Sequence, residues 1–141
     1  MGEPPAGTLR EDLPGLAERT RLPPNAEAAR WLTQAGDADR VGGGRGDARV
    51  VAWVSVPGGA APWLEETLGA PLGPRAHWVA DDIADVLFTP AELAVLQHNS
   101  ARASWKLACI RYGGVGLGLR DYGAGVVLDC GDHLFVALAA R

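Results

Sequence analysis

Residues 88–117 read FTPAELAVLQHNSARASWKLACIRYGGVGL, and the fold turns on how this stretch is read. Phe88-Thr89-Pro90-Ala91-Glu92-Leu93 is patterned as a helix start. Thr89 stands as N-cap, Pro90 at the first helical position, and Glu92 three residues after the cap completes a capping box. Phe88 and Leu93 add a hydrophobic staple, and the helix is expected to run to about Gln97. Asn99 or Ser100 then caps a second predicted helix reaching about Tyr112, with Trp105, Ala108, Cys109 and Tyr112 as its core stripe. Gly113-Gly114 stops it. On that helix Arg102 and Lys106 lie four residues apart and share a face.

Working outward, Leu9 to Arg21 places Leu13, Leu16 and Ala17 at helical spacing, with Pro14 limiting the start. Asn25 to Ala35 reads as another helix, capped by Asn25, with Ala28, Ala29, Trp31 and Leu32 as apolar faces and Gly36 as its end. Residues 1–8 are expected to fray. Gly36 to Asp47 is a Gly-rich connection without the GK[ST] of a phosphate-binding loop, and its Arg45-Gly46-Asp47 tripeptide carries no weight. Ala48 to Val56 (ARVVAWVSV) is the clearest strand: Val50, Ala52, Val54 and Val56 on one face, Val51, Trp53 and Ser55 on the other. Ala61 to Leu68 is a short helix begun by Pro62. Arg75 to Ala80 is a second strand that runs into Asp81, Asp82 and Asp85. Gly125 to Leu128 and His133 to Ala139 flank the turn Asp129-Cys130-Gly131-Asp132, a hairpin signal. The expectation is one α+β domain over residues 1–141, with long helices packed on an antiparallel sheet.

The formal net charge of −4 disfavours nucleic acid as a partner, because phosphate backbones need a basic face. No apolar run reaches the roughly 18 residues that a membrane span needs. Met1 to Arg10 lacks the pattern of a signal peptide, so a soluble, cytoplasmic protein is expected. The two cysteines are read as a small buried hydrophobe, Cys109, and an incidental thiol, Cys130, rather than as a redox pair. No zinc-ligand spacing is present. Of the 13 basic residues twelve are arginine, a bias that suits a high-GC bacterial genome. The lone lysine, Lys106, is then a candidate for a place where a compact ammonium is needed and a guanidinium does not fit.

From Phe88 onward the chain resembles the C-terminal part of the 4′-phosphopantetheinyl transferases. In that family a start of the type F-[ST]-x-x-E precedes a helix reading W-x-x-K-E-x-x-x-K-x-x-G-x-G-L. Phe88-Thr89-Pro90-Ala91-Glu92 matches the first element. Lys106 takes the first lysine position of the second element and Arg111 the other. Gly114, Gly116 and Leu117 take the G-x-G-L positions, and the ending HLFVALAAR is similar to the family's closing hairpin. The resemblance covers residues 86–141. Three departures stand out: the family tryptophan position is Ala103, the metal-binding G-x-D-x-E strand is not evident, and the magnesium-ligating glutamate position is Leu107.

The resemblance implies the family's α+β fold and a substrate linked to coenzyme A or phosphopantetheine, with Arg102, Lys106 and Arg111 facing its phosphates. It does not imply the family's ordinary transfer, because Mg²⁺ requires oxygen ligands and leucine offers none. The expected protein is a divergent phosphopantetheinyl-transferase-like enzyme of bacterial secondary metabolism. It would perform metal-independent acid–base chemistry, a dehydration or cyclisation, on a carrier-protein- or coenzyme-A-linked intermediate. Lys106 would bind an anion or polarise a carbonyl, and Asp81, Asp82 or His98 would move protons. One alternative is a non-catalytic partner of a carrier protein or biosynthetic enzyme. Another is a true transferase whose metal ligands come from Asp81, Asp82 or Asp85. Short members of the resembling family build sites between subunits, so an oligomer is compatible with this reading. The capping box already accounts for Glu92, turn chemistry beside Asp132 accounts for His133, and His77 carries no signal.

Overall fold

The valine-rich strand expected around Trp53 is present as β2 (Arg49–Ser55), and five of its seven residues are buried because both of its faces are covered. The computed structural model describes residues 7–34, 49–113, 117–119 and 122–140. The other elements are α1 (Leu13–Ala17), β1 (Ala28–Gln34), α2 (Ala61–Leu68), β3 (Gly73–Ala80), α3 (Asp81–Leu87), α4 (Pro90–Leu93), β4 (Gln97–Asn99), β5 (Ser104–Gly113), β6 (Tyr122–Asp129) and β7 (His133–Ala140). The strands form one seven-stranded antiparallel sheet in the order β1-β2-β7-β6-β5-β3, with β4 paired to β5. The Gly-rich stretch over 36–47, Gly114 and Gly116 lie outside the described residues.

The sheet is covered on both faces. On the first, Leu16 of α1 and Leu64 of α2 pack on Trp31, Val50, Ala52, Val54, Tyr112, Val127, Leu134 and Val136. On the second, Ala84 and Leu87 of α3, followed by Phe88, pack on Leu32, Val51, Trp53, Val79, Leu107, Leu128 and Phe135. The α+β class and the antiparallel sheet therefore stand. The long helices do not: α2, with eight residues, is the longest among the described residues. No helix among them is long and apolar enough to cross a membrane.

Two predicted helices are strands. Over Asn25–Ala35 the chain forms β1, in which Ala29 and Trp31 face the first core and Leu32 the second. The Asn25 side chain does not cap a helix; its Nδ2 donates to the carbonyls of Pro57 and Gly59 at 3.0 and 2.8 Å, tying this loop to the turn after β2. The helix expected over Asn99–Tyr112 is β5. The cap is real for one turn, since Asn99 Oδ1 accepts from the Arg102 N–H at 3.1 Å. Ala103 then takes a left-handed φ of 49° and sends the chain out as a strand. Cross-strand pairing outweighs the helix-favouring residues Lys106, Leu107 and Ala108, as tertiary context commonly does. The helix expected over Phe88–Gln97 shrinks to the four residues of α4, with both halves of its capping box formed. The acidic run at Asp81 starts a helix, α3, that the sequence reading did not include.

β5 is paired differently along its length. Residues 104–106 pair with β4 and residues 110–113 with β6 on one flank, while β3 runs along the other from Arg111 to Ser104. Continuing the β5–β6 register one step beyond Ile110↔Asp129 places Cys109 opposite Cys130, and these two form a disulfide with Cα atoms 5.1 Å apart. This corrects the reading of two separate thiols. A helical Cys109 has no register with Cys130; a strand Cys109 has one. The bond closes a span of 21 residues. Replacing both cysteines by alanine is expected to lower the unfolding free energy by about 3 kcal/mol, the chain-entropy value for such a loop. The comparison is a pair of urea titrations, and an unchanged midpoint would show that the crosslink contributes nothing.

Candidate functional site

The β2–β7 register sets one end of the second face. Ser55 lies directly opposite His133, and Trp53 opposite Phe135, so Ser55, Trp53 and His133 project from the same side of the sheet. The His133 ring stacks on Trp53 with centroids 4.7 Å apart and planes 8° from parallel. Phe88 meets the same indole edge-on at 4.9 Å.

Glu92 arrives from α4. Its Oε1 accepts from the Thr89 N–H at 2.8 Å, closing the capping box. Its Oε2 accepts from the Trp53 indole N–H at 3.0 Å and lies 3.9 Å from His133 Nε2. Burial pushes the Glu92 carboxyl up. The N–H of Thr89, the Trp53 indole, the Thr89 hydroxyl and the charge of His133 outweigh it and hold the group below the usual glutamate value. The carboxylate is therefore ionised at neutral pH and supplied with donors on both oxygens.

Trp53, Glu92 and His133 line two cavities. One, of about 230 Å³, continues past Ser55 and Arg30 to Glu11. The other, of about 280 Å³, is walled by Phe88, Leu96, Leu107 and the Cys109–Cys130 disulfide. Arg30 is fixed at the rim of the first: its guanidinium donates to the carbonyls of Leu87 and Val86 at 2.8 and 2.9 Å, capping the C-terminal end of α3. A histidine held flat on an indole, beside an ionised carboxylate and open to cavities, can accept and return a proton.

The residues singled out from sequence are divided among other places. His98 and Asp81 come together: Nε2 and Oδ1 are 2.8 Å apart, and the His98 ring lies 4.6 Å from that of Trp105. Asp82 turns back to accept from the N–H of Ile83 at the start of α3. Arg102 stacks over Trp78 at 4.5 Å, and Lys106 is the residue directly opposite Trp78 on β5. Lys106 projects from the opposite face of β5 to Leu107 and from that of the Asp81–His98 pair. Arg111, an odd number of residues from Lys106, is on the second face. The expected single phosphate-facing set of Arg102, Lys106 and Arg111 is not assembled. Leu107, at the family's metal-ligand position, is 3% exposed and part of the second core. Among the described residues no three His, Cys, Asp or Glu side chains converge as metal ligands.

The sequence carried a weak signal for the cavity site. A tryptophan stood on the less apolar face of a strand, and both the glutamate and the histidine already had local explanations. The chain matches no protein-family model, no curated protein and no solved structure.

A group with a depressed folded pKa stabilises the fold above its unfolded value. That contribution is lost as the pH falls through the lower folded value. Glu92→Gln is therefore expected to flatten the acid limb of the stability profile below the ordinary glutamate range, read by thermal unfolding across pH. Thr89→Ala, which removes the cap hydroxyl, is expected to cost about 1 kcal/mol at neutral pH. If Glu92→Gln leaves the acid limb unchanged, the carboxylate is not held as described.

Proposed function

We propose that the chain is an enzyme of acid–base chemistry that needs no metal, working in the cavities that meet at Trp53. The observation that carries this reading is His133 stacked on Trp53 with its Nε2 3.9 Å from the ionised Glu92 carboxylate. His133 is the proton-moving group. Glu92 already has N–H donors on both oxygens, so its part is to orient and stabilise a protonated imidazole rather than to take the proton itself. The apolar cavity bounded by Phe88, Leu96 and Leu107 suits an acyl chain.

The reaction is dehydration of a 3-hydroxyacyl thioester. His133 removes the proton α to the thioester carbonyl and returns it to the departing 3-hydroxyl. One water leaves, a conjugated enoyl thioester forms, and the imidazole ends in its starting state. The thioester is the part of the proposal that rests on the resemblance around Lys106. A second reading, a non-catalytic partner of a carrier protein, has one observation in its favour: Arg102 stacks on Trp78, the residue opposite Lys106, and neither cation forms an ion pair among the described residues.

The test is to incubate the protein with 3-hydroxybutyryl-pantetheine and follow the ultraviolet absorbance of the conjugated product. Turnover is expected, and His133→Gln should lower kcat by roughly 10²- to 10⁴-fold, the usual share of a positioned proton-transfer group. No turnover, or turnover indifferent to His133→Gln, overturns the enzyme reading. Binding of a holo carrier protein that weakens in Lys106→Ala would then favour the partner reading.

A further inference from the structure

The second face holds another group of side chains, away from Trp53. β3 and β7 are separated in the sheet by β5 and β6, yet the rings of His77 on β3 and Phe135 on β7 are 5.2 Å apart. The sheet is curled, with the second face concave. By strand alternation Arg111 on β5 falls on this face with Leu107, and Arg49 on β2 falls on it with Trp53. Directly opposite Arg111 is Gly73, which has no side chain to fill the space. A Cβ built there would lie 3.6 Å from the Arg75 guanidinium, so a third arginine borders the same gap.

The Nε of Arg111 is buried and has no hydrogen-bond partner. A guanidinium cannot shed its proton in a protein, so burying one of its N–H groups without an acceptor is costly. The chain has 17 acidic residues, but none forms an ion pair with Arg49, Arg75 or Arg111 among the described residues. His77 feels the same surroundings: burial first, then Arg111 and Arg49, pull its proton affinity below the ordinary histidine value. Cationic side chains that converge without a counter-charge repel one another unless an anion completes the group.

We propose that Arg111, Arg49 and His77, with Arg75 at the border, form a binding site for a tetrahedral oxyanion, a phosphate group either free or as a phosphomonoester. Planar guanidinium forks match phosphate oxygens bidentately, and more than one positive charge suits a dianion better than a single carboxylate. The site lies on the same face as the Trp53 cavities but involves different residues and stands without the enzyme reading.

The test measures thermal midpoints and calorimetric affinity of the whole chain in inorganic phosphate, in phenyl phosphate, and in chloride at matched ionic strength. Wild-type protein should rise in midpoint with phosphate, as any ligand specific to the folded state requires. Arg111→Gln should bind phosphate about 10- to 100-fold more weakly. In chloride its midpoint should be no lower than that of wild type, because a buried N–H without an acceptor has been removed. Arg49→Gln, at an exposed position, should also weaken binding and guards against misfolding of the Arg111 variant. The stronger of the two phosphate compounds identifies the source, free or esterified. A midpoint shift equal in wild type and both variants, or no shift in wild type, overturns the proposal.

Discussion

The pairing of β5 on both flanks is the constraint on which most of this structure depends. Because β3 holds one edge and β4 and β6 share the other, residues Ser104 to Gly113 have no freedom of register. A register slip of one residue would exchange the faces of every side chain. It would drive Lys106 into the core and expose Leu107, and it would separate Cys109 from Cys130. The disulfide pins the register at the point where the β6 pairing ends. The change of partner along β5 also accompanies the curl that brings His77 to Phe135. The second cavity opens along the residues between the two pairings, Leu107 and Cys109.

The site at Trp53 depends on a second economy. Glu92 is at once the third residue of a capping box and the acceptor of the Trp53 indole. Its two oxygens are divided between these tasks, so the four-residue α4 is tied to the sheet by the same carboxylate that faces His133. Isolated helices of that length do not persist in water. The helix is there because its cap and Phe88 are anchored on Trp53. Stability and the candidate chemistry therefore share atoms at this position.

Elements whose signals are local were legible in the sequence. The alternating valines of β2, the turn at Asp129–Asp132 between β6 and β7, Pro62 at the start of α2, and the Thr89–Glu92 box all depend on residues close together in the chain. β1 and β5 were not legible for a shared reason. Their apolar residues fall on both faces of a sheet covered on both sides, and such a run satisfies a helical period as readily as a strand. Of the two cap candidates, Asn99 and Ser100, Asn99 does accept from the Arg102 N–H, but no helix follows, because nothing before Ala103 marks where the turn ends. Asp81 and His98 stood among the separate proton-moving candidates, and their pairing emerges only from the fold. The Trp53 site was not anticipated, since it requires the β2–β7 register.

Parity explains which of the expected cations can act together. Arg102 precedes β5 across the left-handed turn at Ala103, so strand alternation does not place it; it is its stack on Trp78, the residue opposite Lys106, that puts it beside the lysine's strand position. Residues 106 and 111 differ by five, and an odd separation in a strand means opposite faces. A single anion cannot be gripped by Lys106 and Arg111 across the thickness of the sheet. The cations therefore form two groups, one on each face, and each needs its own explanation. On the first face, Arg102 is exposed and already has the Trp78 ring as a partner. On the concave face, Arg111 has a buried N–H and no acceptor. The physical demand for a ligand is accordingly stronger at Arg111 than at the lone lysine.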